Sequence, residues 1–533
     1  MSKNEKNGRI KKLKFINVVF LILIIFCFAF FSFYSNVTNI IFAKNKIDIF
    51  KEDLNQIAFY FWNIDKNFSK FLVTLDEIIK SYNKGENIFK SESSQIDFCR
   101  NYIKNNKDYL KKLGFSQYDE LMSLISDLQI YKNEFFDLMG KNEAFNYLVI
   151  LQNTNEKRPN GGFFGSFAFV KIYQGHIQDL EIVDSYYPDF IAYKTRILAP
   201  DWTSVFLPDR KIGFIAGNKF GFTDIDGKNL KDLYETMFGK TYEMRKVQKT
   251  MQADLYNKLL NQNIKGVIFI RSDLLEQNIP GLTKKFRERE FLNASVDLIR
   301  GEVRGNKKEK YIQEIKDFFS AQKINIIKNV VNNFGNIAKQ QFINIYLSNV
   351  SPKFNGLLVK HKLTNIFQTG NIYARDTNTS YNKIDGFITK NIQIIDNIGN
   401  IKIDTNDDIL NIQNLEKGTY TMRIYYTLNI PEYYVNFIQQ LEEKYKIKIT
   451  DRELAILAIK PGTYDEPGIG DVKKRWETKS TIYFPKNIKV LKAEGDIYYQ
   501  APFYATFANG LFYQMGITTN NTSKFINIKF QLE

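Results

Sequence analysis

The stretch Tyr147–Ser166 reads YLVILQNTNEKRPNGGFFGS, and the interpretation of the whole chain starts from it. Its first five residues, Tyr147–Leu151, form an apolar run that predicts a short buried strand. A polar, Gly-rich loop follows, and a second apolar run from Phe163 to Val170 predicts the next strand. A strand that ends in a charged, Gly-rich turn is typical of the place where an α/β domain presents a binding site.

The loop carries the residues that we expect to bind a ligand, namely Asn153, Glu156, Arg158, Gly161 and Gly162. Backbone N–H groups of a Gly-Gly turn form a concave anion site, and the planar guanidinium of Arg158 suits a phosphate or a carboxylate. The alternative is a structural role, in which Pro-Asn-Gly-Gly makes a tight turn with positive φ and Arg158 pairs with Glu156 or with another buried carboxylate. The sequence leaves both open.

A motif of fixed spacing begins at the end of this strand and consists of Asn153, Glu156, Arg158, Gly161, Gly162, Phe163, Gly165 and Ser166. Two later segments, KGVIFI at 265–270 and NTSYNKIDGFITK at 378–390, follow in order. Together they resemble a bacterial family known as domain of unknown function 4012. The resemblance implies a membrane anchor, a helical region, this domain and a β-rich C-terminal part. It implies no reaction, because that family has no established activity.

The loop is also similar, more distantly, to the LytR–CpsA–Psr phosphotransferases, which are single-pass extracytoplasmic proteins that transfer polyprenyl-phosphate-linked glycans to the cell wall. This likeness implies that Arg158 binds a pyrophosphate and that carboxylates hold Mg²⁺. The chain departs from the Pro-Arg-Asp triplet of that family, since the nearest match is Tyr187-Pro188-Asp189. Asp189 is therefore an expected ligand-binding residue, whereas the catalytic residues are unknown and enzyme activity is left open.

Carboxylates form two further candidate sites. Asp376 and Asp385 are the expected metal ligands, in a polar loop that also contains Arg375, Asn378, Asn382 and Lys383. Such oxygen ligands suit Mg²⁺ or Ca²⁺, although Asp and Asn also serve turns in ordinary supporting loops. The second group suits either a sugar site or plain surface loops, and comprises Asp184, Asp189 and Asp201 with Tyr186, Tyr187 and Trp202.

Composition narrows the classes of function. Lys and Arg outnumber Asp and Glu by 74 to 58, which gives a formal net charge of +16 over 533 residues. Because no basic block is interleaved with stacking aromatic residues, we attribute this charge to a composition rich in Lys, Asn and Ile and predict no nucleic-acid partner. With two cysteines and only His176 and His361, the sequence predicts no internal disulfide, zinc site or histidine-based triad.

Residues 15–34, FINVVFLILIIFCFAFFSFY, predict a transmembrane helix, because a helix of this length spans about 30 Å. The tail 1–14 contains six Lys or Arg residues and one Glu, so the positive-inside rule predicts a cytoplasmic N-terminus. The rest of the chain is then extracytoplasmic, and the protein is a single-pass protein of the cell membrane. A cleaved signal peptide is the alternative, but the apolar core is too long and no small-x-small site follows.

Residues 45–140 predict a helical stalk. Apolar residues recur at alternating spacings of four and three from Phe50 to Ile78, and a second seam runs from Leu121 to Leu138. The two seams predict either a helical hairpin that packs on itself or a coiled coil that forms a homodimer.

The remainder of the chain predicts two domains. Strand and helix signals alternate over 144–395 and predict a layered α/β domain, with a hairpin at Gln174-Gly175-His176 and a helical tract from about Phe291 to Leu347. Over 396–533, short alternating strands between Gly and Asn turns predict a β-sandwich, with a helical insertion near 431–459. The expected fold class is α+β multidomain, with a transmembrane helix, a helical hairpin stalk, a central layered α/β domain and a C-terminal β-sandwich.

Three functions agree with these features. The first is a membrane-anchored, extracytoplasmic cell-envelope protein that binds an anionic or glycan ligand, such as a cell-wall glycan, at the loop and needs no cofactor. The second is a LytR–CpsA–Psr-like transferase acting on a polyprenyl-phosphate lipid with Mg²⁺. The third is a purely structural or adhesive surface protein, for which replacing Arg158 has no effect on any binding assay.

Overall fold

The computed structural model describes residues 130–154, 156–191, 197–198, 211–239, 253–273, 343–378, 385–445, 462–463, 473–474, 476–505, 508–517 and 522–533, with scattered positions between 66 and 127. The predicted tail at 1–14, the predicted anchor at 15–34 and most of the predicted stalk lie outside these residues. Among the helices in the described part of the chain, none has the length and apolar character needed to span a bilayer.

In the described residues, the first unit has a five-stranded sheet with helices on both faces and a small two-stranded sheet. The elements of this unit are α1 (Lys132–Leu138), β1 (Phe145–Asn153), β2 (Phe163–Tyr173), β3 (His176–Asp184), α2 (Tyr186–Ile191), β4 (Ile197–Leu198), β5 (Lys211–Ile212), α3 (Thr223–Phe238), α4 (Ala253–Leu259), β6 (Ile264–Arg271), β7 (Ile343–Leu347) and α5 (Pro352–Lys360). The order of the five strands is β3-β2-β1-β6-β7, in which β6 runs parallel to β1 and the other neighbours are antiparallel, and β4 pairs with β5 in the small sheet.

Alternation along the strands divides the side chains between the two faces of this sheet. Phe167, Phe169 and Val267 pack with α3 and α4 in one core cluster. The opposite face packs against α1 and α5, which contribute Leu138 and Phe354. The predicted layered arrangement of helices and strands is therefore present in this unit.

Two local expectations can be compared directly with this sheet. The predicted hairpin between β2 and β3 is confirmed, and its turn residues Gln174 and Gly175 have φ of 51° and 79°. The expected helical tract was wrong at its end, because Ile343–Leu347 forms strand β7. Its sequence INIYL alternates the β-branched Ile343 and Ile345 with Asn344 and Tyr346, and pairing with the edge of β6 stabilises it as a strand.

In the described residues, the second unit has two five-stranded antiparallel sheets and a small two-stranded sheet. Its elements are β8 (Asn371–Asn378), β9 (Ile388–Asp396), β10 (Ile401–Thr405), β11 (Ile409–Asn411), β12 (Gly418–Leu428), α6 (Glu432–Tyr445), β13 (Gly462–Thr463), β14 (Lys473–Lys474), β15 (Trp476–Phe484), β16 (Ile488–Gly495), β17 (Tyr499–Tyr504), β18 (Asn509–Ile517) and β19 (Thr522–Leu532). The five-stranded sheets are ordered β10-β9-β12-β19-β16 and β11-β8-β15-β18-β17, and β13 pairs with β14 in the small sheet. The sandwich thus begins at Asn371, whereas the sequence placed this boundary at 396.

The two sheets face each other across one apolar core. Met422 and Ile424 of β12 meet Ile482 of β15 and Met515 of β18 in this core. The other face of the β15 sheet is also buried, because Tyr373, Tyr483 and Phe512 join the core cluster of the first unit. The sandwich therefore packs directly against the first sheet and its helices, and this junction positions the site described below.

The described positions between 66 and 105, within the predicted stalk, are helical, and some of them are in contact. Phe71 stacks on Tyr102 with 4.8 Å between ring centroids, and the Lys70 ammonium lies 5.1 Å from the Phe98 ring. These contacts join helical positions that are separated along the chain, and the helical hairpin stays a prediction.

Candidate functional site

The loop between β1 and β2 crosses one edge of the first sheet. Because β1 and β6 run parallel, their carboxyl ends reach the same edge, where β2 begins and β3 ends. This edge collects the residues Gln152, Arg271 and Asp184 around the loop Glu156–Gly162. The carboxyl ends of parallel strands are a common position for ligands in α/β sheets.

Glycine is required twice in this loop. Gly161 has φ of 116°, and a Cβ there would lie 2.4 Å from Oε1 of Gln152. A Cβ on Gly162 would lie 2.2 Å from the carbonyl oxygen of Asn153. The N–H of Gly161 donates to the carbonyl of Arg158 at 3.0 Å, so the turn holds Arg158 in place.

Arg158 has the partner that the structural alternative predicts. Its Nη2 lies 3.2 Å from Oε1 of Glu156, and its guanidinium lies 5.4 Å from the ring centroid of Phe163. The side chain is only 12% exposed, yet Nε is a buried donor with no hydrogen-bond partner. The ion pair therefore uses one edge of the guanidinium and leaves a donor available.

The carboxylates after β3 lie close to the loop. Burial raises the pKa of the Tyr186 phenol, and the nearby charges of Glu156 and Asp184 raise it further, while Arg158 opposes the shift. Asp189 accepts from the N–H of Phe214 at 2.7 Å and so caps a short 3₁₀ turn. Asp201 and Trp202 lie outside the described residues.

The predicted metal ligands Asp376 and Asp385 have separate protein partners. Asp385 accepts from the backbone N–H of Lys157 at 2.7 Å, so it is joined to the loop. Asp376 lies inside the sandwich, where Lys390 and other side chains hydrogen bond to both of its oxygens. No group of three or more His, Cys, Asp or Glu side chains in the described ranges is placed to hold a metal. A metal role for these two carboxylates stays a prediction.

The structure adds Lys219, which sequence reasoning did not select. Its neighbours on both sides are fully buried and fixed: Nδ2 of Asn218 donates to the carbonyl of Gly162 at 2.7 Å. The hydroxyl of Tyr483, in the sandwich, donates to the carbonyl of Phe220 at 3.0 Å. Lys219 is therefore held between the loop and the sandwich.

Lys219 is a partly buried cation among other cations. Burial lowers its pKa to about 8 from an ordinary 10.5, and the charges of Arg158 and Lys479 lower it further. Within the described residues, neither Lys219 nor Lys479 has a carboxylate within ion-pair distance. A site in which positive charges outnumber negative ones attracts anions.

Arg375 lies beside the same loop and was selected only as a neighbour of the metal ligands. It is 6% exposed, and its Nε and Nη2 have no hydrogen-bond partner. Burial lowers its pKa, although the charges of Asp408 and Asp226 act in the opposite direction. A Cβ on Gly221 would lie 3.0 Å from Cγ of Arg375 and 3.0 Å from Cβ of Pro159, so both flank this glycine.

Buried polar atoms without partners are concentrated around this loop. Donors and acceptors are both represented: Gln152 Oε1, Arg158 Nε, Asn160 Nδ2, Asn218 Oδ1, and Arg375 Nε and Nη2. Leaving such groups unpaired costs about 1–3 kcal/mol each, so they indicate a site that a polar ligand completes.

In the sequence, Lys219 is marked only by its position between Gly217 and Gly221. No spacing rule links this position to Arg158, so sequence reasoning did not select it.

Comparison with known proteins agrees with the resemblance seen in the sequence. Residues 142–224 match the model of a family described as protein of unknown function (DUF4012). The match covers β1 to the start of α3 and includes the loop, Asp189 and Lys219. The chain resembles this family over these residues. Comparisons with curated proteins and with solved structures found no match.

Proposed function

We propose that the protein binds an anionic ligand at the loop Glu156–Gly162. The observation that supports this proposal is the convergence of three cations, Arg158, Lys219 and Lys479. Within the described residues, Glu156 is the one ion-pair partner of these three side chains. A partly buried cation without a counter-charge is unfavourable, and an anion removes this cost. The free Nε donor of Arg158 gives the ligand a hydrogen bond as well as a charge.

We place this site in the cell envelope, outside the membrane. The apolar segment 15–34 and the basic tail before it support a single-pass anchor with a cytoplasmic N-terminus. The helical contacts between 66 and 106 support a stalk between the anchor and the site. Protease added to intact cells should remove the large extracytoplasmic part, and complete protection would contradict this orientation.

The ligand is an anion, with or without an attached glycan. Phe163 and the half-exposed ring of Tyr186 lie 6.3 Å apart beside Arg158, and rings of this kind suit the face of a sugar. The transferase alternative uses the same arginine but requires Mg²⁺ and a pyrophosphate lipid. Binding that depends on Mg²⁺ would favour the transferase, whereas binding without metal favours the proposal made here.

The test is a calorimetric titration of the full chain with pyrophosphate and with sulfate, in the absence of divalent metal. We expect one site, and we expect Arg158→Gln to weaken binding by about 100-fold because a charge-assisted hydrogen bond is lost. Lys529→Gln, on an exposed part of β19, is the matched control and should bind as the wild type does. Arg158→Lys should retain part of the affinity.

Two results would overturn the proposal. One is the absence of binding of either anion to the wild type. The other is equal affinity in wild type and Arg158→Gln, provided that both show the same cooperative unfolding. The structural alternative predicts this second result, because Arg158 would then serve only Glu156.

A further inference from the structure

We propose that the β-sandwich supplies Lys479 to this site, which makes the ligand a doubly charged oxyanion held between the two units. The inference rests on the proposed function, since it names the class of ligand and the second part of the molecule that binds it. It also gives the sandwich a direct role in binding.

The first step is the orientation of Lys479. Side chains along β15 alternate between the two faces, so Lys479 shares a face with Thr481 and Tyr483. Tyr483 is buried in the core cluster of the first unit, and its hydroxyl bonds to Phe220. Lys479 therefore lies on the face of the sandwich that packs against the first unit.

The second step is the polarity of this face. Its apolar end consists of Tyr373, Tyr483 and Phe512, which pack against the first unit. Its other end is polar, because Lys479 pairs across the sheet with Gln514, and Arg375 pairs with Thr481. Arg375 and Lys479 thus approach the loop from one side, and Arg158 and Lys219 approach from the other.

The third step is the balance of charge. Arg158, Lys219 and Lys479 carry three positive charges, and Glu156 supplies the single negative charge paired with them among the described residues. The charge of Arg375 is opposed by the charges of Asp408 and Asp226, so it is not included in this count. Two positive charges remain, one on each side of the junction. A doubly charged group such as sulfate or a phosphate monoester balances both, whereas a carboxylate balances one.

The lowered pKa of Lys219 agrees with this placement, because burial and the charges of Arg158 and Lys479 act on it together. Repulsion between Lys219 and Lys479 acts across the junction, since one belongs to the first unit and the other to the sandwich. A bound dianion converts this repulsion into attraction and stabilises the junction.

The test compares sulfate with acetate in titrations of the full chain at constant ionic strength. We expect the wild type to bind sulfate at least about 10-fold more tightly than acetate, because the second charge is used. Lys479→Gln should weaken sulfate binding by about 10-fold and change acetate binding by less than about 2-fold. Lys489→Gln, an exposed lysine of the same unit, is the matched control and should leave both affinities unchanged.

A charge-conserving variant and a stability measurement complete the test. Lys479→Arg should keep sulfate binding within about 3-fold of the wild type. Without ligand, Lys479→Gln should raise the melting temperature, because it removes the repulsion, and a given sulfate concentration should raise it further by less than in the wild type.

The outcomes separate this inference from the proposed function. If sulfate binds and depends on Arg158 but Lys479→Gln binds it like the wild type, this inference is wrong and the proposed function stands. Equal loss of sulfate binding in Lys479→Gln and Lys479→Arg would also overturn it, because charge would then not be the cause. Absence of binding of both anions to the wild type overturns both proposals.

Discussion

Two clusters of buried charge lie on opposite sides of β8, and they differ in whether their charges are balanced. The first surrounds Asp376 inside the sandwich, and the second surrounds Arg158 at the end of β1. The sequence suggested both as candidate sites, since both combine carboxylates with Asn, Arg and Lys in polar segments. The structure separates them.

The Asp376 cluster is complete. The Lys390 ammonium donates to Asp376 at 2.8 Å, to Asp408 at 2.6 Å and to the carbonyl of Ala374 at 2.8 Å. The second oxygen of Asp376 accepts from Tyr426 and Ser480, each at 2.7 Å. Every donor of this ammonium is used, and both oxygens of Asp376 accept hydrogen bonds from protein groups, so the charges of the cluster are paired within the protein.

The pKa values of Lys390 and Lys219 reflect the same difference between balanced and unbalanced charge. Burial disfavours the charged form of Lys390, but Asp376 and Asp408 outweigh it and raise its pKa above the ordinary value. Burial also disfavours the charged form of Lys219, and there the neighbouring charges are positive, so its pKa falls to about 8. A buried cation with its counter-charges is structural, and one without them indicates binding.

Breaking the balanced cluster should have the largest effect. Lys390→Met leaves Asp376 buried without its cation, and we expect a loss of about 3–5 kcal/mol in the free energy of unfolding. Urea unfolding followed by circular dichroism measures this loss. Lys529→Met, on an exposed position, should change stability by less than about 0.5 kcal/mol. A loss below about 1 kcal/mol for Lys390→Met would contradict the structural role of the cluster.

Changing the turn of the unbalanced cluster should have a smaller effect on stability. Gly161→Ala places a Cβ at positive φ and against Gln152, which should cost about 1–3 kcal/mol and weaken sulfate binding. Gly165→Ala is the matched control, since its Cβ would meet nothing closer than 3.8 Å. Equal stability and equal sulfate affinity in the two variants would show that the positive φ of Gly161 is not needed.

The pH dependence of Lys219 should have the smallest effect. Because its folded pKa, about 8, is below its unfolded value, the unfolded state binds more protons between about pH 8 and 10.5, and stability should rise with pH there. Sulfate keeps its charge over this range and requires the protonated lysine. Its affinity should therefore fall about 10-fold, or about 1.4 kcal/mol, from pH 7 to pH 9.

Lys219→Arg is the control for this titration, since arginine stays protonated and its sulfate affinity should not change over this pH range. Titrations at pH 7, 8 and 9 measure the two profiles. A flat profile in the wild type, or the same slope in Lys219→Arg, would contradict the assignment to Lys219.

The sequence predicted the local structure well where periodicity and turn chemistry determine it. Short-range patterns predicted the strands around Tyr147–Ser166 and the hairpin at Gln174-Gly175. The pairing of Arg158 with Glu156 was part of one of the two alternatives that the sequence left open for the loop. Strand β7 was missed because its five residues are shorter than the window that distinguishes a strand from the end of a helix.

The binding partners of Arg158 could not be predicted in the same way. Lys219 and Lys479 are separated from it by 61 and 321 residues, and only the packing of the sandwich against the first sheet brings them together. The different partners of Asp376 and Asp385 could not be predicted for the same reason. These neighbours in sequence hydrogen bond to Lys390 in the sandwich and to Lys157 in the loop, respectively.

The most direct test of the central claim is a crystal structure of the full chain in the presence of sulfate. We predict a sulfate within hydrogen-bond distance of Arg158, Lys219 and Lys479, with no sulfate at Lys390. Sulfate bound only at other surface lysines, while these three side chains stay without an anion, would contradict the account.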